Sequence, residues 1–163
     1  MSAADKGRTM AITRIEPSTR GEGRRVAIVQ SRFNPQVGKG LLAGALRALG
    51  EAGVAVERVT LVTVPGALEA PLALQRLAQT HRYDALVVLG AVIRGDTYHF
   101  DIVANESAAG DSSVQLEFGI PIGNGILTCD TDAQAESRME RKGYEAAQAA
   151  LELANLLDAI DPR

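Results

Sequence analysis

Short apolar runs alternate with stretches of helical periodicity along most of the chain. A β-branched run at residues 26–29 predicts a first strand, and apolar side chains then recur at helical spacing from Val37 to Leu49. The same alternation predicts strands at residues 56–64, 85–93 and 120–128, and helices at residues 67–80, 101–118, 130–139 and 143–159, with a break at Gly143. Strands that are apolar throughout and alternate with helices are typical of a parallel sheet covered on both faces.

This order of elements predicts an α/β fold, a flavodoxin-like three-layer sandwich with a four-stranded parallel sheet flanked by helices. Residues 24–160 are predicted to form a single domain. Residues 1–23 are polar and non-periodic, which predicts a flexible tail with a short extended piece that can join the sheet edge of a neighbour. In such a sheet ligands bind beyond the carboxyl ends of the strands, so the segments that follow each strand are the candidates for a site.

Composition narrows the function by exclusion. The chain has 163 residues, 17 Lys and Arg against 20 Asp and Glu, a net charge of -3 and no tryptophan, which argues against nucleic acid as a partner. Its apolar runs are too short to span a bilayer, so no membrane partner is expected. Cys129 is the only cysteine and residues 1–20 lack the apolar stretch of a secretory signal, so a cytoplasmic location is expected.

Several common site templates are missing from the sequence. There is no G-x-G-x-x-G after the first strand, no Walker lysine loop and no G-x-S-x-G elbow. His81 and His99 are the only histidines, and no set of residues has the spacing of a metal site. The sequence therefore predicts a site with neither a metal nor a cofactor.

The first two strands are followed by segments that allow both a structural and a functional interpretation. Asn34 precedes proline and is suited to capping a helix over which Phe33 packs; alternatively Phe33 is a planar wall against a heterocycle with Asn34 at its edge. Glu69 lies in a helix first turn, where the dipole favours a carboxylate, yet free N–H groups plus a carboxylate also suit a polyol or an amide edge.

Residues 90–101 are the most informative segment. A buried strand ends in an Arg-Gly turn and is followed within a few residues by Asp96, Thr97 and His99. One interpretation is a solvated turn. The other, which we favour, has the N–H groups of Asp96 and Thr97 binding an anion near a helix start, with His99 as general acid or base. His81, in a Thr-His-Arg turn, is expected to be solvated.

Arg138 and Lys142 lie four residues apart in the C-terminal part of the chain. They are either part of a charged helix face or, in the functional interpretation, Arg138 binds a phosphate with its forked donors.

Over residues 24–158 the chain resembles lumazine synthase. The segments that carry the resemblance are Phe33-Asn34, residues 64–69, 90–101, 103–106 and 125–128, Gln134-Ala135 and residues 154–156. The resemblance implies a cofactor-independent transferase of riboflavin biosynthesis. It would condense 5-amino-6-(D-ribitylamino)uracil with 3,4-dihydroxy-2-butanone 4-phosphate to give 6,7-dimethyl-8-ribityllumazine.

The resemblance also implies residue roles. His99 would be the proton donor, and Arg138 would bind the butanone phosphate together with Asp96 and Thr97. The residues implied for the ribitylaminouracil are Phe33, which stacks, and Asn34, Ala67, Leu68, Glu69, Ala91, Val92, Ile93, Asn124 and Lys142.

Two departures from the family pattern bear on these roles. Asn124 stands where many members have an aromatic residue, which leaves Phe33 as the main stacking surface. Many shell-forming members have a Gly- and Lys-containing loop between the last two helices, and this loop is missing here. Its absence weakens the assignment of Lys142 and favours a smaller assembly.

The family forms homopentamers with sites at subunit interfaces, in which Phe33 and the turn after the third strand would come from different chains. A lone pentamer is favoured here over an icosahedral shell, and riboflavin synthase is a candidate partner. The alternatives are a non-catalytic flavin- or lumazine-binding paralogue, which would not need Thr97, His99 and Arg138 together, and a flavodoxin-like signalling domain, which would need acidic residues after the first strand.

Overall fold

Four parallel strands form one sheet in the order β2-β1-β3-β4. The computed structural model describes residues 11–162, so residues 1–10 of the predicted tail lie outside it. The strands are β1 (Val26–Ser31), β2 (Val59–Val64), β3 (Ala85–Ile93) and β4 (Ile122–Cys129). The helices are α1 (Pro35–Ala52), α2 (Ala70–Gln79), α3 (His99–Phe118) and α4 (Asp132–Ile160), with 3₁₀ turns at Val56–Arg58 and Ala67–Glu69.

The strand β3 is the most apolar run of the sequence and lies in the interior of the sheet. Its residues are buried from Ala85 to Val92 because β1 and β4 pair with it on either side and helices cover both faces. Helices α1 and α4 enclose one core, and α2 and α3 the other. The predicted α/β sandwich with a four-stranded parallel sheet is confirmed.

The helix break predicted at Gly143 is wrong, because α4 runs without interruption through it. A side chain at Gly143 would collide with the carbonyl of Leu41 on α1, and one at Gly44 would collide with the carbonyl of Glu140 on α4. These glycines therefore let the backbones of two helices touch, and Gly143 is a packing residue rather than a terminator.

Other boundaries of strands and helices differ from the predicted ones by a few residues. The strand predicted at residues 56–64 begins at Val59, because Val56–Arg58 forms a 3₁₀ turn. The helix predicted at residues 67–80 is a 3₁₀ turn, Ala67–Glu69, followed by α2. Helix α3 begins at His99, so the histidine lies in its first turn rather than in the loop before it.

The segment before β1 is tied to the end of α4. Asn155 donates its side-chain amide to the carbonyls of Ser18 (2.8 Å) and Arg20 (3.0 Å). Its amide oxygen accepts from Arg24, whose guanidinium also pairs with Asp158 at 2.7 Å. Within residues 11–162, no helix has both the length and the apolar character to cross a membrane.

Candidate functional site

A cavity of about 390 Å³, here called the first cleft, opens beyond the carboxyl ends of the strands. It draws its walls from the segments that follow β1 and β2, from the end of β3 and from the start of α3. Its lining consists of Phe33, Pro65, Gly66, Ala67, Leu68, Glu69, Ala91, Val92, Ile93, Gly95, Thr97, His99, Phe100 and Val103.

One edge of β3 is unpaired where it lines this cleft. β1 pairs with β3 only as far as Gln30↔Leu89, whereas β4 continues to pair with it as far as Ile93↔Cys129. Successive residues of β3 direct their backbone N–H and C=O groups alternately to the two neighbouring strands, and the N–H groups of Leu86 and Arg94 bond on the β4 side, so Val92 also faces β4. On the side that faces β1, the backbone groups of Ala91 and Ile93 therefore have no strand partner among the described residues. Backbone N–H and C=O groups at such an edge can hydrogen-bond a flat ligand laid alongside them.

Phe33 and Asn34 have different roles. The Phe33 side chain lines the first cleft and is 64% exposed, so one face of its ring is free. Asn34 does not line the cleft. It caps α1 in the left-handed conformation (φ 58°), its Oδ1 accepting from the N–H of Val37, and its Nδ2 donates to Asp132 at 3.1 Å. The structural interpretation of Asn34 is thus the one that the geometry favours.

The turn after β2 places Glu69 next to the cleft. Gly66 leaves room for this carboxylate, since a side chain there would come within 3.2 Å of Glu69 Oε2. Ala67 is buried and packs against the core, and Leu68 remains partly exposed at the rim.

The loop after β3 brings Thr97 and His99 into the cleft but leaves Asp96 outside its lining. The N–H of His99 donates to Thr97 Oγ1 over 3.4 Å, which folds the loop into the first turn of α3. His99 is exposed, and so is His81, as expected for the latter.

Arg138 and Lys142 lie in a second cleft of about 850 Å³. Its lining consists of Arg94, Phe100, Asp101, Ala104, Asn105, Ile126, Leu127, Thr128, Cys129, Asp130, Gln134, Arg138, Arg141, Lys142 and Glu145. Two of its cations are neutralised locally, Arg94 by Asp130 and Arg141 by Glu145, each at 2.8 Å. Arg138 and Lys142 form no ion pair with any described residue, so this cleft offers two free cations to an anion.

The grouping of residues differs from the predicted one. Phe33 and the turn after β3 were expected from different chains, yet both line the first cleft of a single chain. It is Arg138 and Lys142 that lie apart, with only Phe100 common to the two linings. Asn124 lines neither cleft; it is exposed on β4, and its Oδ1 accepts from the N–H of Ile126 at 2.9 Å.

Sequence reasoning missed Phe100, Val103 and Asp130. Val103 lies four residues after His99 and three after Phe100, a helical spacing that indicates that this side of α3 faces the cleft. Asp130 precedes Thr131 and Gln134, and the pattern Thr-x-x-Gln at the start of α4 identifies a helix cap. Nothing in the sequence indicates that Asp130 pairs with Arg94.

Fold and clefts together define a parallel α/β protein with a small-molecule site at the carboxyl ends of its strands. The model of the 6,7-dimethyl-8-ribityllumazine synthase family matches residues 23–158. Proteins named 6,7-dimethyl-8-ribityllumazine synthase from Paraburkholderia phymatum and Burkholderia multivorans are each 53% identical over 152 residues, 93% of this chain and 88% of theirs. The chain belongs to the 6,7-dimethyl-8-ribityllumazine synthase family, which confirms the resemblance.

Proposed function

We propose that this chain makes 6,7-dimethyl-8-ribityllumazine from 5-amino-6-(D-ribitylamino)uracil and 3,4-dihydroxy-2-butanone 4-phosphate, as an enzyme of riboflavin biosynthesis in the cytoplasm. The observation that carries the proposal is the first cleft, in which an aromatic face, an unpaired strand edge, a carboxylate and a histidine converge. The 53% identity to relatives named for this product supports the same assignment.

The pyrimidine occupies the part of the cleft between Phe33 and the end of β3. Its flat ring stacks on the exposed Phe33, and its amide edge hydrogen-bonds the unpaired backbone of Ala91 and Ile93, with Val92 lining the cleft between them. A uracil edge alternates donors and acceptors, as a strand edge does, so backbone groups recognise it without a charged side chain. The ribityl hydroxyls bind at the turn after β2, where Ala67, Leu68 and the Glu69 carboxylate provide donors and acceptors.

The butanone phosphate binds at the loop after β3. Backbone N–H groups of Asp96 and Thr97 near the start of α3 suit a phosphate, and His99 lies beside them in the same cleft lining as Thr97. Arg138 supplies forked donors to the phosphate, and Lys142 lies beside the pyrimidine.

The chemistry consists of additions and eliminations, so electrons balance without an oxidant or reductant. The 5-amino group attacks the ketone and forms an imine with loss of water, and phosphate then leaves. The ribityl-bearing nitrogen closes on the second carbonyl with loss of a second water. His99 moves protons during these steps, and positioning of two substrates that are already reactive supplies most of the acceleration.

The site is completed between subunits of a homo-oligomer, for which a pentamer is favoured over an icosahedral shell. Two observations support this. Phe33 and Leu68 remain exposed at the rim of the first cleft, and Arg138 and Lys142 lie in a different cleft of the same chain. A neighbour that places its second cleft against Phe33 would cover the rim and add the two cations. The binding of the pyrimidine by Asn124 and a contact of the oligomer with riboflavin synthase stay predictions.

The test is a product assay. The purified chain is incubated with both substrates, and the fluorescence of the lumazine and the release of phosphate are followed together. We expect one phosphate for each lumazine formed. Tight binding of the pyrimidine without either product would favour the non-catalytic paralogue instead.

A further inference from the structure

Arg94, at the N-terminal end of the loop that carries Thr97 and His99, contacts both the turn after β4 and the start of α3. The Nε of Arg94 donates to Asp130 Oδ1 at 2.8 Å, and the N–H of Arg94 donates to the carbonyl of Cys129 at 2.8 Å. The same guanidinium lies over the ring of Phe100, 4.4 Å from its centroid.

These contacts bracket the loop. Arg94 precedes residues 95–99 and Phe100 follows them, so the contact between the guanidinium and the ring joins the two ends of the loop. Asp130 lies in the turn between β4 and α4, which ties that closed loop to the neighbouring strand. Inside the loop, the N–H of His99 reaches Thr97 Oγ1 only over a long 3.4 Å. The position of Thr97 and His99 therefore depends on contacts made at the two ends.

The ion pair between Arg94 and Asp130 is exposed, which favours a role in positioning the loop over a role in stabilising the fold. Arg94 and Asp130 side chains are 53% and 63% exposed, and ion pairs this exposed add little to folding stability. A contact that contributes little to stability can still matter for rate, because small displacements of groups around a reacting centre lower turnover strongly.

We propose that Arg94 is a positioning residue: held by Asp130 and stacked on Phe100, it sets the position of the Thr97–His99 loop and thereby the affinity for the butanone phosphate. This rests on the proposed assignment of that phosphate to the loop. A lysine could keep the charge at this position, but it has no planar fork that both stacks on the ring and directs Nε at Asp130.

The experiment compares Arg94→Gln, Asp130→Asn, the double variant and Arg94→Lys in steady-state kinetics with each substrate varied in turn. We expect the KM for the butanone phosphate to rise about tenfold in both single variants, while the KM for the pyrimidine changes by less than about twofold. The double variant should be no worse than Arg94→Gln, because both changes break one contact. Arg94→Lys should recover part of the affinity.

The chain offers a matched control. Arg47 also lies 4.4 Å from an aromatic centroid, that of Tyr144, and pairs with Glu51 at 3.9 Å with similar exposure, outside the linings of both clefts. Arg47→Gln should leave both KM values unchanged. Thermal unfolding of all variants should agree within a few degrees, so that a loss of folded protein cannot imitate the KM effect.

The outcomes test the ion pair, the arginine and the phosphate placement separately. If Arg94→Gln raised the KM for the butanone phosphate but Asp130→Asn did not, the ion pair would have no part in positioning the loop, and that part of the proposal would be overturned. Wild-type constants in both Arg94→Gln and Asp130→Asn would overturn the positioning role of Arg94 altogether. The placement of the phosphate is tested by Thr97→Pro, which removes the N–H proposed to bind it. An unchanged KM in that variant would overturn the placement, and with it the inference.

Discussion

Asp111 combines deep burial with an unpaired carboxyl group. The residue is 3% exposed on the inner face of α3, and neither carboxyl oxygen has a hydrogen-bond partner among the described residues. Burial alone raises the pKa of Asp111 to about 7. Between the ordinary pKa of an aspartate and about 7, the folded protein therefore binds more protons than the unfolded chain, and stability must fall as the pH rises through that range.

We therefore predict that the free energy of unfolding decreases from about pH 4 to about pH 8, by an amount on the order of 4 kcal/mol. Asp111→Asn should remove most of this slope because its side chain cannot ionise. The measurement is urea denaturation at several pH values and one protein concentration, with Glu117→Gln on the exposed side of α3 as the control. A slope that persists in Asp111→Asn would assign it to other groups.

His99 allows a second prediction on the scale of one side chain. His99→Ala should lower turnover by about 10- to 1,000-fold and leave measurable activity, because positioning of the substrates remains after the proposed proton donor is lost. The check is the steady-state rate from about pH 6 to about pH 8. His81→Asn is the control, since His81 is exposed with φ at 56° and asparagine tolerates that conformation. A full rate in His99→Ala would contradict the proton-transfer role.

Single residues also show how far sequence reasoning reaches into the site. Phe33, Glu69, Thr97 and His99 could be predicted because each follows a strand, and parallel strands deliver such residues to one edge of a sheet. The pairing of Arg94 with Asp130 could not, because it joins positions 36 residues apart and depends on which strands are neighbours.

At the scale of elements, the contact between α1 and α4 depends on glycines that touch the opposite backbone. Gly143 faces the carbonyl of Leu41, and Gly44 faces that of Glu140. The sequence predicted a helix end at Gly143 because glycine in a helix interior is unfavourable by itself. The cost is offset by the close packing of two helices, a tertiary effect that no local pattern contains.

Substitution of these glycines tests that explanation. Gly143→Ala should destabilise the protein by about 1–3 kcal/mol, because the added methyl group meets backbone atoms that cannot move aside. Gly50→Ala in α1, where nothing lies within 4 Å of the added methyl, should be neutral or stabilising by up to about 1 kcal/mol. Chemical denaturation of both variants gives the comparison. Equal stabilities would show that the two helices can separate without cost.

At the scale of the whole molecule, the proposed function divides the site between the two clefts of neighbouring chains. The first cleft has Phe33 and His99, and the second has Arg138 and Lys142, which pair with no carboxylate among residues 11–162. A cyclic arrangement, in which each first cleft meets the second cleft of the next copy, completes every site with the same contact. The fold could be predicted from the apolar pattern of one chain, whereas the proposed division of the site would depend on contacts between copies of the chain.

Mixed oligomers test that division. Arg138→Ala should mainly raise the KM for the butanone phosphate, and His99→Ala should mainly lower turnover, so both pure variants are slow at low butanone phosphate. If the two are unfolded together and reassembled in equal amounts, about a quarter of the sites should combine a wild-type first cleft with a wild-type second cleft. Activity should then rise well above that of either variant, towards about a quarter of wild type. If each chain supplies a whole site by itself, the mixture will show only the average of the two variants, and the shared site will be excluded.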